Sequence, residues 1–219
     1  MILTPSENFD ERMAPVEMLV LHYTGMKTFQ EALNRMRDSG AKVSAHYVVD
    51  ETGETYRLVD EEKRAWHAGV SSWRKKTDIN SRSIGIEIVN PGHEFGYRPF
   101  PDIQIKAVIE LCNGIINRYR ISPENIVGHS DIAPTRKKDP GELFPWETLS
   151  ENGIGLWTND FEQPSLSCKE MLTAIGYDIT DENAALTAFQ RRFYPQSLQN
   201  DIGKTKERLA AIFHLYKGY

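Results

Sequence analysis

Two histidines and an aspartate are the residues of this chain best suited to shared chemistry. His22 closes an apolar run of strand length, Glu17 to Tyr23 (EMLVLHY), and His129 stands at the end of a second short strand, Asn125 to Gly128. Asp139 follows across a proline-pinned loop within the segment His129 to Gly141 (HSDIAPTRKKDPG). Imidazole and carboxylate are zinc ligands, and a catalytic zinc takes three protein ligands while keeping a fourth position for water. Strand ends and loops are places where side chains from distant segments can meet. The spacing is not the i, i+4 helical pair of an H-E-x-x-H site. On the residues alone a second reading stays open: two histidines satisfied by hydrogen bonds, and an aspartate that caps a helix or faces water. Glu87 is a further candidate, a carboxylate set among apolar neighbours in Ser83 to Val89 (SIGIEIV).

These residues need elements to position them. Thr28 to Ser39 reads as a helix, with Thr28 as its cap, Glu31 three residues later and Gly40 as its stop. Ser44 to Asp50 and Glu54 to Val59 read as strands joined by the turn Glu51-Thr52-Gly53, a hairpin. Ser83 to Val89 is another strand, ended by Pro91-Gly92. Pro101 to Tyr119 is the longest helix, with Ile105, Val108, Ile109, Cys112, Ile115 and Ile116 at helical spacing. Strands interleaved with helices predict an α/β fold. Glu151 to Pro164 reads as a linker that packs partly on the first domain, and the pattern from Ser165 onward is helical. The expected domains are 1–157, carrying the candidate site, and 158–219, a small helical unit.

Composition narrows the class. The 219 residues are 40% hydrophobic and 26% charged, enough for a packed core. A net charge of -5 argues against nucleic acid as a partner. The two cysteines, Cys112 and Cys168, lie far apart, lack C-x-x-C spacing and are expected as free thiols. No stretch approaches the ~20 apolar residues of a membrane span. The polar start, Met1 to Arg12, lacks the regions of a signal peptide. The chain as written is therefore expected in the cytoplasm; a leader removed beforehand would place it in the periplasm or at an outer-membrane anchor.

Five blocks resemble, in order, those of the amidase-2 family of peptidoglycan amidases. They are Val20 to Gly25 (VLHYTG), Ser44 to Tyr47 (SAHY), Ala65 to Ser71 (AWHAGVS), Ser83 to Asn90 (SIGIEIVN) and His129 to Gly141. The family includes AmpD and AmiD enzymes and is related more distantly to a phage lysozyme and to peptidoglycan recognition proteins. The resemblance implies a mixed central sheet flanked by helices, with zinc in a groove at one end. It implies His22, His129 and Asp139 as ligands of Zn2+, Glu87 as catalytic acid and base, and Lys137 as the charge facing the developing oxyanion. It implies an N-acetylmuramoyl-L-alanine amidase acting on peptidoglycan or muropeptides, here expected as a monomer.

Trp66, His67 and Ala68 are expected to line the substrate groove; Asn80, Arg82 and Asn90 are candidates for peptide or sugar contacts, with loop capping as an equal role for each. His46 is either a second layer around the metal or a buried structural histidine, and His93 and His214 are expected on the surface without a role. The phage-lysozyme branch has a tyrosine where this chain has Ala45, which places the chain with the AmpD and AmiD branch. The alternative class is a recognition protein that binds muropeptides without cutting; the presence of all three ligands, Glu87 and Lys137 argues against it. A hydrolase acting on another amide is a third reading. Residues 165–219 resemble a three-helix peptidoglycan-binding module, through Ile175-Gly176-Tyr177, Ala185 to Phe193 (ALTAFQRRF) and Ile202 to Thr205. Tyr177, Phe193, Tyr194 and Tyr216 are its candidate sugar-stacking aromatics.

Overall fold

The structure is a computed structural model and describes residues 1–198 and 201–219. Its strands are β1 (Ile2–Leu3), β2 (Phe9–Glu11), β3 (Met18–Tyr23), β4 (Tyr47–Val49), β5 (Thr55–Arg57), β6 (Lys63–Ala65), β7 (Ser83–Ile88) and β8 (Ile126–Gly128). Its helices are α1 (Phe29–Arg37), α2 (Ile79–Arg82), α3 (Gly92–Phe95), α4 (Asp102–Tyr119), α5 (His129–Ile132), α6 (Trp146–Glu151), α7 (Cys168–Ile175), α8 (Glu182–Phe193) and α9 (Ile202–Lys217). Six strands form one sheet in the order β1-β5-β4-β7-β3-β8. The four strands β4, β7, β3 and β8 run parallel, whereas β5 pairs antiparallel with β4 through the expected hairpin turn. The sheet is therefore mixed, and helices lie on both of its faces. The short strands β2 and β6 make a separate antiparallel ladder.

Parallel strands covered on both faces read as continuous apolar runs, and β3 does so. Alternation still separates its two sides. Leu19 and Leu21 join Ile84, Ile86 and Ile88 of β7 beneath Val108, Cys112 and Ile115 of α4. Each fully buried isoleucine contributes roughly 1.5–3 kcal/mol of transfer free energy. Met18 and Val20 face the other way. The register pairs Met18 with Ser83, Val20 with Gly85 and His22 with Glu87, so these six residues share that second face. The alternation within SIGIEI thus builds an oily side and a small, polar side.

Helix α1 starts as expected: the Thr28 hydroxyl accepts from the Glu31 amide at 3.1 Å. Residues 158–219 pack directly on the small, polar face of the sheet. Leu172 and Ile175 of α7, Phe189 and Phe193 of α8, and Leu209 and Phe213 of α9 share one core with Met18, Val20 and Trp73. A buried ion pair reinforces the junction: Arg192 Nη1 donates to Asp131 Oδ2 at 2.7 Å, both side chains being 1% exposed. Tyr177 donates its hydroxyl proton to Asp131 Oδ1 at 2.8 Å. Of the four aromatics expected to be available for sugar, Tyr177, Phe193 and Tyr216 are buried in this core; Tyr194 is half-buried. Cys112 and Cys168 are free. Among the described residues no helix is long and apolar enough to cross a membrane.

Candidate metal centre

Three adjacent parallel strands deliver the candidate residues to one edge of the sheet. Glu87 lies near the end of β7, His22 near the end of β3, and His129 directly after β8. In open α/β sheets the carboxyl ends of the strands are where ligands are taken. Asp139 returns to the same point because its own carbonyl accepts from the Ser130 amide at 2.8 Å, which closes the proline-pinned loop beside His129.

The side chains of His22, His129 and Asp139 converge and are buried. His22 Nδ1 lies 2.9 Å from His129 Nδ1 and 3.1 Å from Asp139 Oδ2, and His129 Nδ1 lies 2.9 Å from the same oxygen. His129 Nε2 sits 3.1 Å from the Ala68 carbonyl, which can only accept, so the ring proton is there and Nδ1 carries a lone pair. Lone pairs of imidazole and carboxylate facing one another at these distances repel unless a proton or a cation lies between them, and the cluster has the spacing to hold a metal ion. Tetrahedral zinc with bonds near 2.0–2.1 Å would space its ligand atoms by roughly 3.3 Å. The donor set, two imidazoles and one carboxylate, fits the ion, and the cluster could hold it.

Burial, added to the positive charge that His129 can carry, pushes His22 down to about 4, so its imidazole is neutral at pH 7. Burial alone would raise Asp139, but the imidazoles of His129 and His22 outweigh it and hold the carboxyl well below the usual range. Glu87 behaves in the opposite way. Burial and then the negative charge of Asp139 push it well above the ordinary carboxylate range, with Lys137 opposing. Its Oε2 is shielded from solvent and has no hydrogen-bond partner among the described residues.

A cavity of about 410 Å³ opens on this cluster, lined by Glu87, His129, Lys137 and Asp139 and edged by the basic side chains of Arg35 and Arg136. Residues 12–142 match the family described as N-acetylmuramoyl-L-alanine amidase. The chain belongs to that amidase family. It is 38% identical over 226 residues to the N-acetylmuramoyl-L-alanine amidase AmiD of Escherichia coli K12, an alignment covering 89% of this chain and 81% of the relative. The solved complex of E. coli AmiD with the substrate anhydro-N-acetylmuramic acid-L-Ala-D-gamma-Glu-L-Lys shares the fold at a TM-score of 0.79 and 34% identity, covering 95% of this chain and 92% of that one. AmpDh3 of Pseudomonas aeruginosa matches at a TM-score of 0.82 and 33% identity, covering 93% and 92%.

Within this amidase fold the remaining expected residues take distinct places. Of the candidate substrate contacts, only His67 lines the cavity. Trp66 turns its ring nitrogen to Asp10 at 2.7 Å. Ala68 is buried, and its carbonyl receives His129 and Arg136. Asn80 is buried and accepts from the amides of His67 and Ala68, at 3.1 and 2.7 Å, which clamps that loop. Arg82 pairs with Glu17 at 2.9 Å on the outside. The physical reason is shared: these polar groups satisfy backbone and ion-pair needs of the loop that carries the site.

His46 is fully buried; its Nδ1 accepts from the Gly85 amide at 3.0 Å, and its Nε2 lies 2.9 Å from Arg12 Nη2 and 3.0 Å from the Lys63 carbonyl, so it ties the start of β4 to β7 rather than joining the cluster. Asn90 bonds the Arg98 carbonyl at 2.7 Å. His214 is exposed and bonds Glu162. His93, expected on the surface, is half-buried. It lies in the cavity wall, 2.8 Å from the Tyr23 hydroxyl and 3.1 Å from Glu142, and stacks on Tyr97 at 4.5 Å. Tyr23, next to His22, was the available signal for that wall.

Proposed function

We propose that this chain is a zinc-dependent N-acetylmuramoyl-L-alanine amidase. It cleaves the amide between the lactyl group of N-acetylmuramic acid, anhydro or ordinary, and the L-alanine of the stem peptide. His22, His129 and Asp139 would hold the ion, which supplies a Lewis acid able to bring a water's pKa toward ~7 and to polarise a carbonyl. The observation that carries the reading is the convergence of these three donors beside a half-buried Glu87 whose Oε2 is shielded and unpartnered among the described residues, in a chain of this family.

Glu87 has the character of an acid and base, because burial and then the charge of Asp139 push its carboxyl well above the ordinary carboxylate range. A carboxyl raised by burial takes a proton from the attacking water readily and can return it to the departing amine of L-alanine. Lys137 lines the same cavity and would supply positive charge to the carbonyl oxygen as it becomes negative. Arg35, Arg136 and Lys138 add positive charge to the rim, suited to a peptide that carries free carboxylates.

The test is mass spectrometry of a purified muropeptide before and after incubation, with a chelator control. Release of an intact stem peptide with a free L-alanine amine, abolished by the chelator, is expected. Tight binding without cleavage in the presence of zinc would favour the recognition-protein reading instead.

A further inference from the structure

His67 lines the cavity, as expected of a residue near the substrate, yet both of its ring nitrogens are engaged by protein side chains. Nδ1 lies 3.0 Å from Nε2 of His22, and Nε2 lies 3.2 Å from the Ser83 hydroxyl oxygen. The two rings meet edge to face, their centroids 5.0 Å apart at 85°. His22, His67 and Ser83 are all buried.

The direction of each bond follows from its far end. The Ser83 hydroxyl lies 2.7 Å from the Ile79 carbonyl, which only accepts, so the single hydroxyl proton goes there. The Ser83 oxygen then accepts from His67 Nε2–H. His67 is the Nε2-protonated tautomer, and its Nδ1 carries a lone pair. That lone pair accepts from His22 Nε2–H. His22 in turn is left with an unprotonated Nδ1, the atom that faces His129 and Asp139.

The chain is built to carry this arrangement. A Cβ at Gly85 would meet His67 Cγ at 2.5 Å, so the ring occupies the space that this glycine leaves open. A glycine inside a strand commonly marks such a close approach. Asn80 fixes the backbone on both sides of the ring through the amides of His67 and Ala68. Ser83 and Gly85 lie on the same face of β7 as Glu87, which places the relay and the acid on one strand.

We infer that His67, itself set by Ser83, is a positioning residue that holds His22 in the tautomer presenting Nδ1 to the metal. This rests on the reading of His22, His129 and Asp139 as a metal centre. A neighbour that accepts the distal proton of a ligating imidazole fixes its ring and raises its basicity, and loss of such a partner costs about 10–100-fold in metal affinity.

The experiment is zinc affinity by chelator competition for the full chain and for His67→Leu, His67→Asn and Ser83→Ala, with absorption spectra of the cobalt-substituted proteins. Leucine fills the space without an acceptor, whereas asparagine places its carbonyl oxygen near the position of Nδ1. Expected are a loss of about 10–100-fold for His67→Leu, recovery of most of it by His67→Asn, a smaller loss for Ser83→Ala, and altered ligand-field bands in the leucine variant. Ser83→Ala removes only a hydroxyl and keeps the test open where His67→Leu folds poorly. Unchanged affinity and spectra in Ser83→Ala and His67→Leu would overturn the inference, as would equal weakening in the leucine and asparagine variants, which would assign His67 to packing. Absence of zinc binding by the unsubstituted chain would instead overturn the metal-centre reading itself.

Discussion

Asp131 in α5 and Asp139 on the loop beyond it are both buried carboxylates, yet they end in opposite situations. Asp131 is closed within the chain. Its Oδ1 receives the Tyr177 hydroxyl, and its Oδ2 receives Arg192 at 2.7 Å and the Gly128 amide at 2.8 Å. The guanidinium that neutralises it comes from α8 and also stacks 4.0 Å over Trp146. The side-chain partners of Asp139 are two imidazoles, one of them held neutral by burial. The first carboxylate has its counter-charge from the protein, and the second sits in a cluster that could take one from a metal ion. A buried charge must be paired, and the difference in who supplies the partner separates a joint from a site.

Removing either partner should break the two regions in different ways. The largest effect is expected for Asp139→Ala. Loss of a direct ligand should lower zinc affinity by more than the ~100-fold typical of outer partners, with turnover lost in parallel. Zinc content unchanged by elemental analysis would exclude Asp139 as a ligand. Next comes Glu87→Gln, which keeps the shape and removes the proton shuttle. It should retain zinc while kcat falls by about 10²–10⁴-fold; full turnover would remove Glu87 from the mechanism.

At the joint, Arg192→Leu strands Asp131 without its cation and should cost about 3–5 kcal/mol in denaturant unfolding. It should leave zinc stoichiometry at the neighbouring cluster intact. Unchanged stability would mean that the pair is not what binds α8 to the loop.

The smallest effect is a pH dependence of the metal-free chain. Burial, with the nearby His129, pushes His22 from 6.5 down to about 4, and burial pushes His46 to about 3. As pH falls below about 6.5 the unfolded chain takes up protons that the folded chain refuses, so stability is full above that value and declines toward about 4 for His22. Each histidine should contribute on the order of 1–3 kcal/mol to the decline. Urea midpoints of chelator-treated protein at neutral pH and near the lower limit would check it, and a flat profile would contradict it.

Much of the sheet was legible because its signals are local. The apolar run of β3, the hairpin turn before β5, the Thr28 cap and the helical spacing of α4 are each read within a few residues. The alternation of β7 was visible too, with Glu87 opposite to Ile86 and Ile88. His22, His129 and Asp139 could be named as a group, and the structure brings them together. What stayed hidden depends on distant partners. The reason for Gly85 is a ring carried by His67 on another loop. Asp131 meets Arg192 across 61 positions, so neither looks unusual in its own segment. The strands β1, β2 and β6 are two or three residues long, too short for a periodic signal. The burial of Tyr177, Phe193 and Tyr216 follows from the shared core with the sheet, which helical spacing alone does not reveal.

The most direct test of the contrast is an anomalous difference map at the zinc edge from crystals of the full chain grown with zinc. One peak is expected at about 2.0–2.2 Å from His22 Nδ1, His129 Nδ1 and Asp139 Oδ2, with none beside Asp131. A map without a peak at that cluster, or with the ion bound elsewhere, would contradict the account.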